Sequence, residues 1–300
     1  MPASLMDSVH SRSRPAVVVV MPAHNAAPTL PAQLGALAAQ DFAGSWELVA
    51  VENASTDDTL AVLDGWKQRI PQLRVVSTPQ PGASHARNFG VRASGAPLIL
   101  LCDADDVVDA NWISAMTDAL DHHDLVAGPI ELEQLNAITL PRPVLDAGDA
   151  LPRRYGLPYA VTANIGFHRT LFDSIGGFDE TITVCEDMDF GWRAHLGGLS
   201  LGTAPGATVH YRLRSTLRSY LRQQYRYAIG HAHVYAKHAR NSSLPTLSLR
   251  VQTRVFAHDA VNQLQRLRRC TTARGRWEFL GRLAWMAGGL AGAIRYGVYP

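Results

Sequence analysis

The sequence predicts an α/β protein: a mostly parallel sheet flanked by helices, with a helical C-terminal extension. Three observations lead there. Short aliphatic runs (VVVV at 17–20, LVAV at 48–51, LILL at 98–101) end in polar loops, the pattern of strands buried on both faces. Segments with helical spacing separate them, and strand–helix alternation at this interval builds right-handed βαβ units. From Ser215 onward the runs stop and the chain reads as long helices.

Taken in order, PAVVVVMPAHN holds the first strand, and Leu30, Leu34 and Leu37 define one face of the helix after it. Residues 46–51 form the second strand. The next helix is capped by Thr56 or Asp57, with Leu60, Leu63 and Trp66 or Lys67 on its stripe. LRVVSTP is the third strand, GASHARNFGVRASG a helix closed by Gly95, and PLILLC the fourth strand. Beyond Asp109, ANWISAMTDALDHH reads as helix, DLVAGPI as strand and LPRPVLDAGDALPRRYGLP as loop. YAVTANIGFHRTLFDSIGGFDE gives a strand, a short helix and a Gly-Gly turn. CEDMDFGWRAHLGG is a helix opening with acids, the end where negative charge is favoured. LSLGTAPGATVHYR suggests two short strands, and helices cover about 215–240, 246–270 and 275–296.

The composition of the 300 residues, 47% hydrophobic and 18% charged, is that of a globular chain with a sizeable core. Cys102, Cys185 and Cys270 are odd in number and widely spaced, which argues against a disulfide framework or a zinc site and for a reducing compartment. The first 14 residues read as a disordered lead without a signal-peptide core, and no apolar segment is long enough to span a bilayer. A cytoplasmic location is expected. The net charge of +2 hides an asymmetry: residues 210–300 carry 16 Lys and Arg against two acids, Asp259 and Glu278, while residues 1–209 carry 12 against 24. A basic tail of this kind suits an anionic partner or the inner face of a membrane, as peripheral attachment, or else pairs with the acidic body. Arginines at 214, 218, 222 and 226 share one helical face. No base-reading motif accompanies them, so nucleic acid is not an expected partner.

The fourth strand ends in Asp103, Asp105 and Asp106. Like charges this close need something positive among them. Asp-Ala-Asp at a strand end turns its first and third carboxylates toward one ion, and all-oxygen ligands suit Mn²⁺ or Mg²⁺ carrying a diphosphate. The structural alternative is an Asp-rich helix start.

The surrounding loops resemble those of the family 2 glycosyltransferases, which use sugar nucleotides and have the GT-A (Rossmann-like) fold. VVVVMPAHNAAPTL, VENASTDDT, GASHARNFGVRASGAPLILLCDADD, IGGFDE and CEDMDFGWRAHLGG follow the order of that family's motifs over roughly residues 15–235. The resemblance implies a GT-A catalytic unit over 15–212, with a nucleotide half at 15–109 and an acceptor half at 110–212, and a basic helical region at 213–300. It implies that Pro22, His24 and Asn25 border the nucleobase and that Glu52 and Asn53 meet its edge. It places Arg87, Asp103 and Ala104 at the donor, and makes Asp103, Asp105 and His210 the ligands of Mn²⁺ or Mg²⁺. Asp187 is the implied general base beside Glu186. QQYRY is similar to the Q-x-x-R-W motif of processive members, with Tyr227 in the Trp position and Arg226 on the donor side. The implied partners are a UDP-, GDP- or dTDP-linked sugar donor and a hydroxyl acceptor on a saccharide or lipid carrier.

Each residue also has a purely structural reading. Asp187 can be a helix-start acid, His210 a satisfied core histidine, Arg87 a partner of Asp103 or Asp106, and Glu52 a cap for the next helix. Two further functions compete: a catalytically inactive glycosyltransferase-like scaffold and a nucleotidyltransferase. The latter lacks its Gly-rich basic loop after the first strand.

Overall fold

The computed structural model describes residues 14–137, 140–141, 150–241, 244–266 and 270–299. The expected lead therefore lies, apart from Arg14, outside the described residues. In chain order the elements are β1 (Val17–Ala23), α1 (Leu30–Ala38), β2 (Trp46–Asn53), α2 (Thr59–Trp66), β3 (Leu73–Thr78), α3 (Ala83–Ala93) and β4 (Leu98–Cys102). There follow β5 (Val107–Val108), α4 (Trp112–Leu120), β6 (Leu125–Ala127), β7 (Ile130–Glu131), β8 (Arg153–Arg154), β9 (Leu157–Pro158), β10 (Asn164–His168), α5 (Arg169–Ile175) and α6 (Glu186–Leu196). The chain continues through β11 (Leu201–Thr203), β12 (Val209–His210), α7 (Leu217–Arg240), α8 (Leu249–Arg266) and α9 (Ala273–Tyr296).

The main sheet has the order β11-β6-β10-β4-β1-β2-β3, parallel except where β10 runs antiparallel to β4 and β6. The aliphatic runs explain it. Val17, Val19 and Met21 face one apolar cluster with the α1 leucines, while Val18 and Val20 face another with Ala86, Val91 and Phe167. Each fully buried leucine of α1 contributes roughly 1.5–3 kcal/mol. The α3 helix sits so close to the sheet that a Cβ at Gly90 would lie 2.4 Å from a Val20 methyl.

Two expectations change in detail. DLVAGPI is not one strand: it breaks at Gly128-Pro129 into β6, in the main sheet, and β7, in a small sheet ordered β5-β12-β7. Proline cannot donate to a ladder, so a strand that must change sheets does so there. The Pro-rich loop contains the hairpin β8–β9, turned at Tyr155 and Gly156, both with positive φ.

The C-terminal helices pack onto the body. Val234, Tyr235 and Ala236 of α7 join Met188 and Trp192 of α6 in a third apolar cluster. α9 lies along α7 at a distance only glycine allows, since a Cβ at Gly288 would fall 2.2 Å from the carbonyl oxygen of Tyr225. Among the described residues no helix is long and apolar enough to cross a membrane.

Candidate active site

Strands β1, β2 and β4 are neighbours, so the loops at their carboxyl ends meet, which is where open α/β sheets bind ligands. The β1 and β2 loops brace each other. His24 Nδ1 lies 2.7 Å from the carbonyl oxygen of Asn53, and Asn25, at φ 50°, accepts the Thr56 N–H at 2.8 Å. Glu52 Oε1 accepts the Ser55 N–H at 2.6 Å, and among the described residues its other oxygen has no hydrogen-bond partner. Both ends of the Asn53 amide are committed to protein: Nδ2 donates to Gln80 O and Oδ1 accepts from Gly82 N.

Arg87, on α3, is buried at 4% exposure between two carboxylates from distant parts of the chain. Nη2 donates to Asp103 Oδ1 at 3.0 Å and Nη1 to Glu186 Oε1 at 2.5 Å. Burial alone would depress the guanidinium pKa, yet the pull of Asp103 and Glu186 raises it above its ordinary value. Arg87 is a permanent cation here.

Asp103, Asp105 and Asp106 present ligand oxygens that all lie within 4.8 Å of one another. Burial, and then the neighbouring aspartates, push Asp105 up and Asp106 well up. Asp106 Oδ1 accepts the Arg212 N–H at 2.7 Å, while its Oδ2 is buried without a partner. Arg214 answers Asp105 only at 3.5 Å. A hard divalent cation suits this set: three carboxylates, one buried oxygen unfilled, and a residual repulsion that a 2+ charge would reverse.

Asp187 lies in the first turn of α6, which Glu186 opens after Cys185 at φ 67°. It has no cation of its own, because Glu186 takes Arg87. Burial, and then the Glu186 charge, push its carboxyl up to about 7. Asp187, Glu186, Arg87 and Asp103 all line one cleft of about 1010 Å³, closed on the far side by Tyr211, Arg226 and Tyr227 and by Trp285 of α9.

The sequence matches the family description "Glycosyl transferase family 2" over residues 18–176, more than half the chain, and "Glycosyl transferase family group 2" over 148–295. The chain belongs to glycosyl transferase family 2. Among its family 2 relatives, the poly(ribitol-phosphate) beta-N-acetylglucosaminyltransferase TarS of Staphylococcus aureus (strain MW2) is 23% identical over 199 residues, 64% of this chain and 35% of that one. An uncharacterized glycosyltransferase of Mycobacterium tuberculosis (strain ATCC 25618 / H37Rv) is 36% identical over 114 residues, 38% of this chain and 48% of that one. The chain thus spans between a third and a half of the length of these relatives. Two solved structures have the same fold. The mannosyltransferase PcManGT from Pyrobaculum calidifontis, in complex with GDP-Man and Mn²⁺, superposes at a TM-score of 0.69 with 18% identity, over 94% of this chain and 88% of that one. S. aureus TarS 1–349 with UDP-GlcNAc superposes at 0.54 with 17% identity, over 94% and 92%. The GT-A fold is that of the family.

The residues expected from the sequence fall into three groups. Arg87, Asp103, Glu186, Asp187 and Arg226 line the cleft. Pro22, His24, Asn25, Glu52 and Asn53 form the loop cluster at the ends of β1 and β2, where Asn53 is a brace rather than a free donor contact. Ala104 is buried and puts its methyl into the core, so it spaces the two aspartates without facing a ligand. His210 corrects the expected metal set. In the small sheet it pairs with Glu131 and Val107, its Nδ1 lies 2.8 Å from Glu131 and its Nε2 2.9 Å from Asp109. With both ring nitrogens taken by carboxylates it does not join the triad, and Asp106 stands there instead. The signal for Asp106 was present in the third acid of the run. Tyr211 and Trp285, brought in from 108 and 182 residues beyond Asp103, carried no local signal.

Removing the Arg87 cation leaves two carboxylates facing a buried gap. Arg87→Met is expected to cost about 3 kcal/mol of unfolding free energy, the lower end of the range for breaking buried ion pairs because Asp103 keeps some solvent. Urea denaturation measures it, and a loss below about 1 kcal/mol would show that neither carboxylate depends on the guanidinium.

Proposed function

We propose that the protein moves a sugar from a nucleotide-diphosphate donor to an acceptor hydroxyl with inversion at the anomeric carbon, and that Asp187 is the general base. The observation that carries this is the Asp187 carboxyl, half-buried, pushed up to about 7, and set in the same cleft as Arg87 and Asp103. A base matched to neutral pH takes the proton most effectively there. As the acceptor oxygen bonds to the anomeric carbon, its proton passes to Asp187. The bond from that carbon to the phosphate oxygen breaks, and the diphosphate leaves with the electron pair. Asp103, Asp105 and Asp106 would hold Mn²⁺ or Mg²⁺, which supplies charge neutralisation to the leaving diphosphate. Arg87 fixes Asp103 and Glu186 in place, Glu52 offers its free oxygen to the base of the nucleotide, and Arg226 adds positive charge on the donor side. Solved relatives are recorded with UDP, UDP-GlcNAc and GDP-Man, which supports a nucleotide-sugar donor of one of these classes.

We also propose that α9 rests on an anionic membrane surface. Leu280, Leu283, Leu290 and Ile294 recur at helical spacing on its outer face and are exposed, Ile294 at 88%, while the inner face packs on α7. Exposed Arg276 and Arg295 flank the stripe, and both acids of the region are already paired, Asp259 with Arg282 and Glu278 with Arg274. An apolar stripe ringed by unanswered cations fits lipid headgroups better than a second, equally cationic copy.

The donor reading is tested by thermal unfolding with UDP-, GDP- and dTDP-sugars, with and without Mn²⁺. One nucleotide is expected to give a metal-dependent rise, about 2.7 kcal/mol at a hundred times its dissociation constant, that Asp105→Asn abolishes. A silent panel would sink the reading.

The base is tested by pH. Asp187 works only when ionised, so kcat/KM is expected to hold above about pH 7 and to fall tenfold per pH unit below it. Asp187→Asn should lower kcat by about 10²–10⁴. Because the folded value is raised above the unfolded one, ionisation of Asp187 costs stability as pH climbs from about 4 to 7. Asp187→Asn should therefore gain stability over that window and keep the gain above it. A variant that stays active, or an acid limb unchanged by the substitution, would rule Asp187 out.

The membrane contact is tested by flotation. The protein is expected to float with phosphatidylglycerol vesicles and not with phosphatidylcholine ones, and Leu290→Glu with Ile294→Glu should leave it at the bottom. Equal flotation of that variant would exclude α9.

A further inference from the structure

The cleft does not end at Asp187. Its wall of Tyr159, His231 and Trp285 leads to a second hollow of about 460 Å³, and Arg282 and Trp285 belong to both. The hairpin β8–β9 supplies the other side of that hollow through Arg153, Arg154 and Tyr155.

The charges in the hollow do not balance. Asp259 answers Arg282 and also accepts the Tyr299 hydroxyl at 3.2 Å. Arg153 donates to the Gly156 carbonyl at the hairpin turn. Arg154 meets no carboxylate among the described residues, and its Nε is buried without a hydrogen-bond partner. It is nonetheless held in place, its guanidinium 5.1 Å from the Tyr155 ring and 5.9 Å from that of Trp285. Across Trp285, 5.0 Å between ring centroids, stands His231, whose Nδ1 is likewise buried and unpartnered. Burial, and then the Arg154 charge, push His231 down to about 3, so it is a neutral hydrogen-bonding group.

Buried polar groups are almost always satisfied, and the orphans gathered around this one indole, Arg154 Nε, His231 Nδ1 and the Tyr155 hydroxyl, point to something that fills them. The Arg154 fork suits an oxyanion, and Tyr159 ties the place to the chemistry: its hydroxyl is influenced by the Asp187 charge and by Arg154 alike. We propose that the junction of the two spaces, with His231 on the cleft, Arg154 on the hollow and Trp285 shared by both, is a subsite for an oxyanion carried by the acceptor, a phosphate ester or a carboxylate near the hydroxyl that Asp187 deprotonates. This rests on the glycosyltransferase reading and narrows it: the acceptor is anionic, and the protein reads its charge on the side of the cleft away from the donor diphosphate.

The test is thermal unfolding with Mn²⁺ and whichever nucleoside diphosphate stabilises the protein kept saturating, so that the donor site is filled. Glycerol 1-phosphate, glycerate and glycerol are then titrated at matched ionic strength. Wild type is expected to be stabilised by the phosphate or the carboxylate and not by glycerol, the better anion identifying the group. Arg154→Gln should weaken that response by about tenfold or more, the worth of one charge-assisted hydrogen bond, while its response to nucleotide stays intact and shows that it is folded. Equal responses in wild type and Arg154→Gln, equal responses to glycerol and its anions, or a nucleotide response with flat anion titrations would overturn the subsite and leave the donor reading standing. No response to any nucleotide would instead overturn the reading on which it rests.

Discussion

One buried guanidinium organises the site. Arg87 sits on α3, which Gly90 lets pack close against the sheet, and from there it faces Asp103 at the end of β4 and Glu186 at the start of α6. These are 83 residues apart in sequence and lie on different elements, a strand end and a helix start. A permanent cation between them settles which acids are neutralised. Asp103 and Glu186 are answered. Asp187 and Asp106 are left over, and burial does the rest, holding both above the usual carboxylate range. Two kinds of acid, one neutralised and one held above the carboxylate range, follow from a single arginine's reach.

The acids also lie where the fold tolerates them. Glu186, Asp187 and Asp189 occupy the first turn of α6, where backbone N–H groups and the helix dipole favour negative charge. The triad follows a strand whose Ile99, Leu100 and Leu101 are buried across both faces, so the chain must turn at Asp103 and its polar atoms have only the loop side to occupy. Arg212 and Arg214, arriving from the small sheet, partly offset the charge without cancelling it.

Much of this was legible in the residues themselves. Uninterrupted aliphatic runs mark parallel strands, and the Asp run at the end of β4 marks a cluster of three carboxylates that could hold a cation, because both depend on local composition. Arg87 pairing with Asp103 was readable as an alternative, and the structure shows that pair together with a second one to Glu186. His210 was readable as a satisfied core histidine, but its partners Glu131 and Asp109 were not. Its surroundings are set by the register of β12 against β7 and β5, and a register shift of one residue would turn its ring to the other face. The partners of Asn53 were hidden in the same way, since an amide at a strand end looks equally available whether or not Gln80 and Gly82 have claimed it. The β8–β9 hairpin hid in a segment whose prolines suggested only loop. The wall formed by His231 and Trp285 required knowing that two helices meet along glycines.

Asp189 has no exposed surface and receives Arg193 from its own helix and Lys237 and His238 from α7, which hold it well below the usual carboxylate range against the opposing effect of burial. Peeling α7 away would strand that carboxylate in an apolar setting beside Trp192. Leaving a buried carboxylate without its partners costs about 3–5 kcal/mol, so α7 is latched to the body at Lys237 and His238, and its C-terminal half is held more firmly than the turns before Ala228.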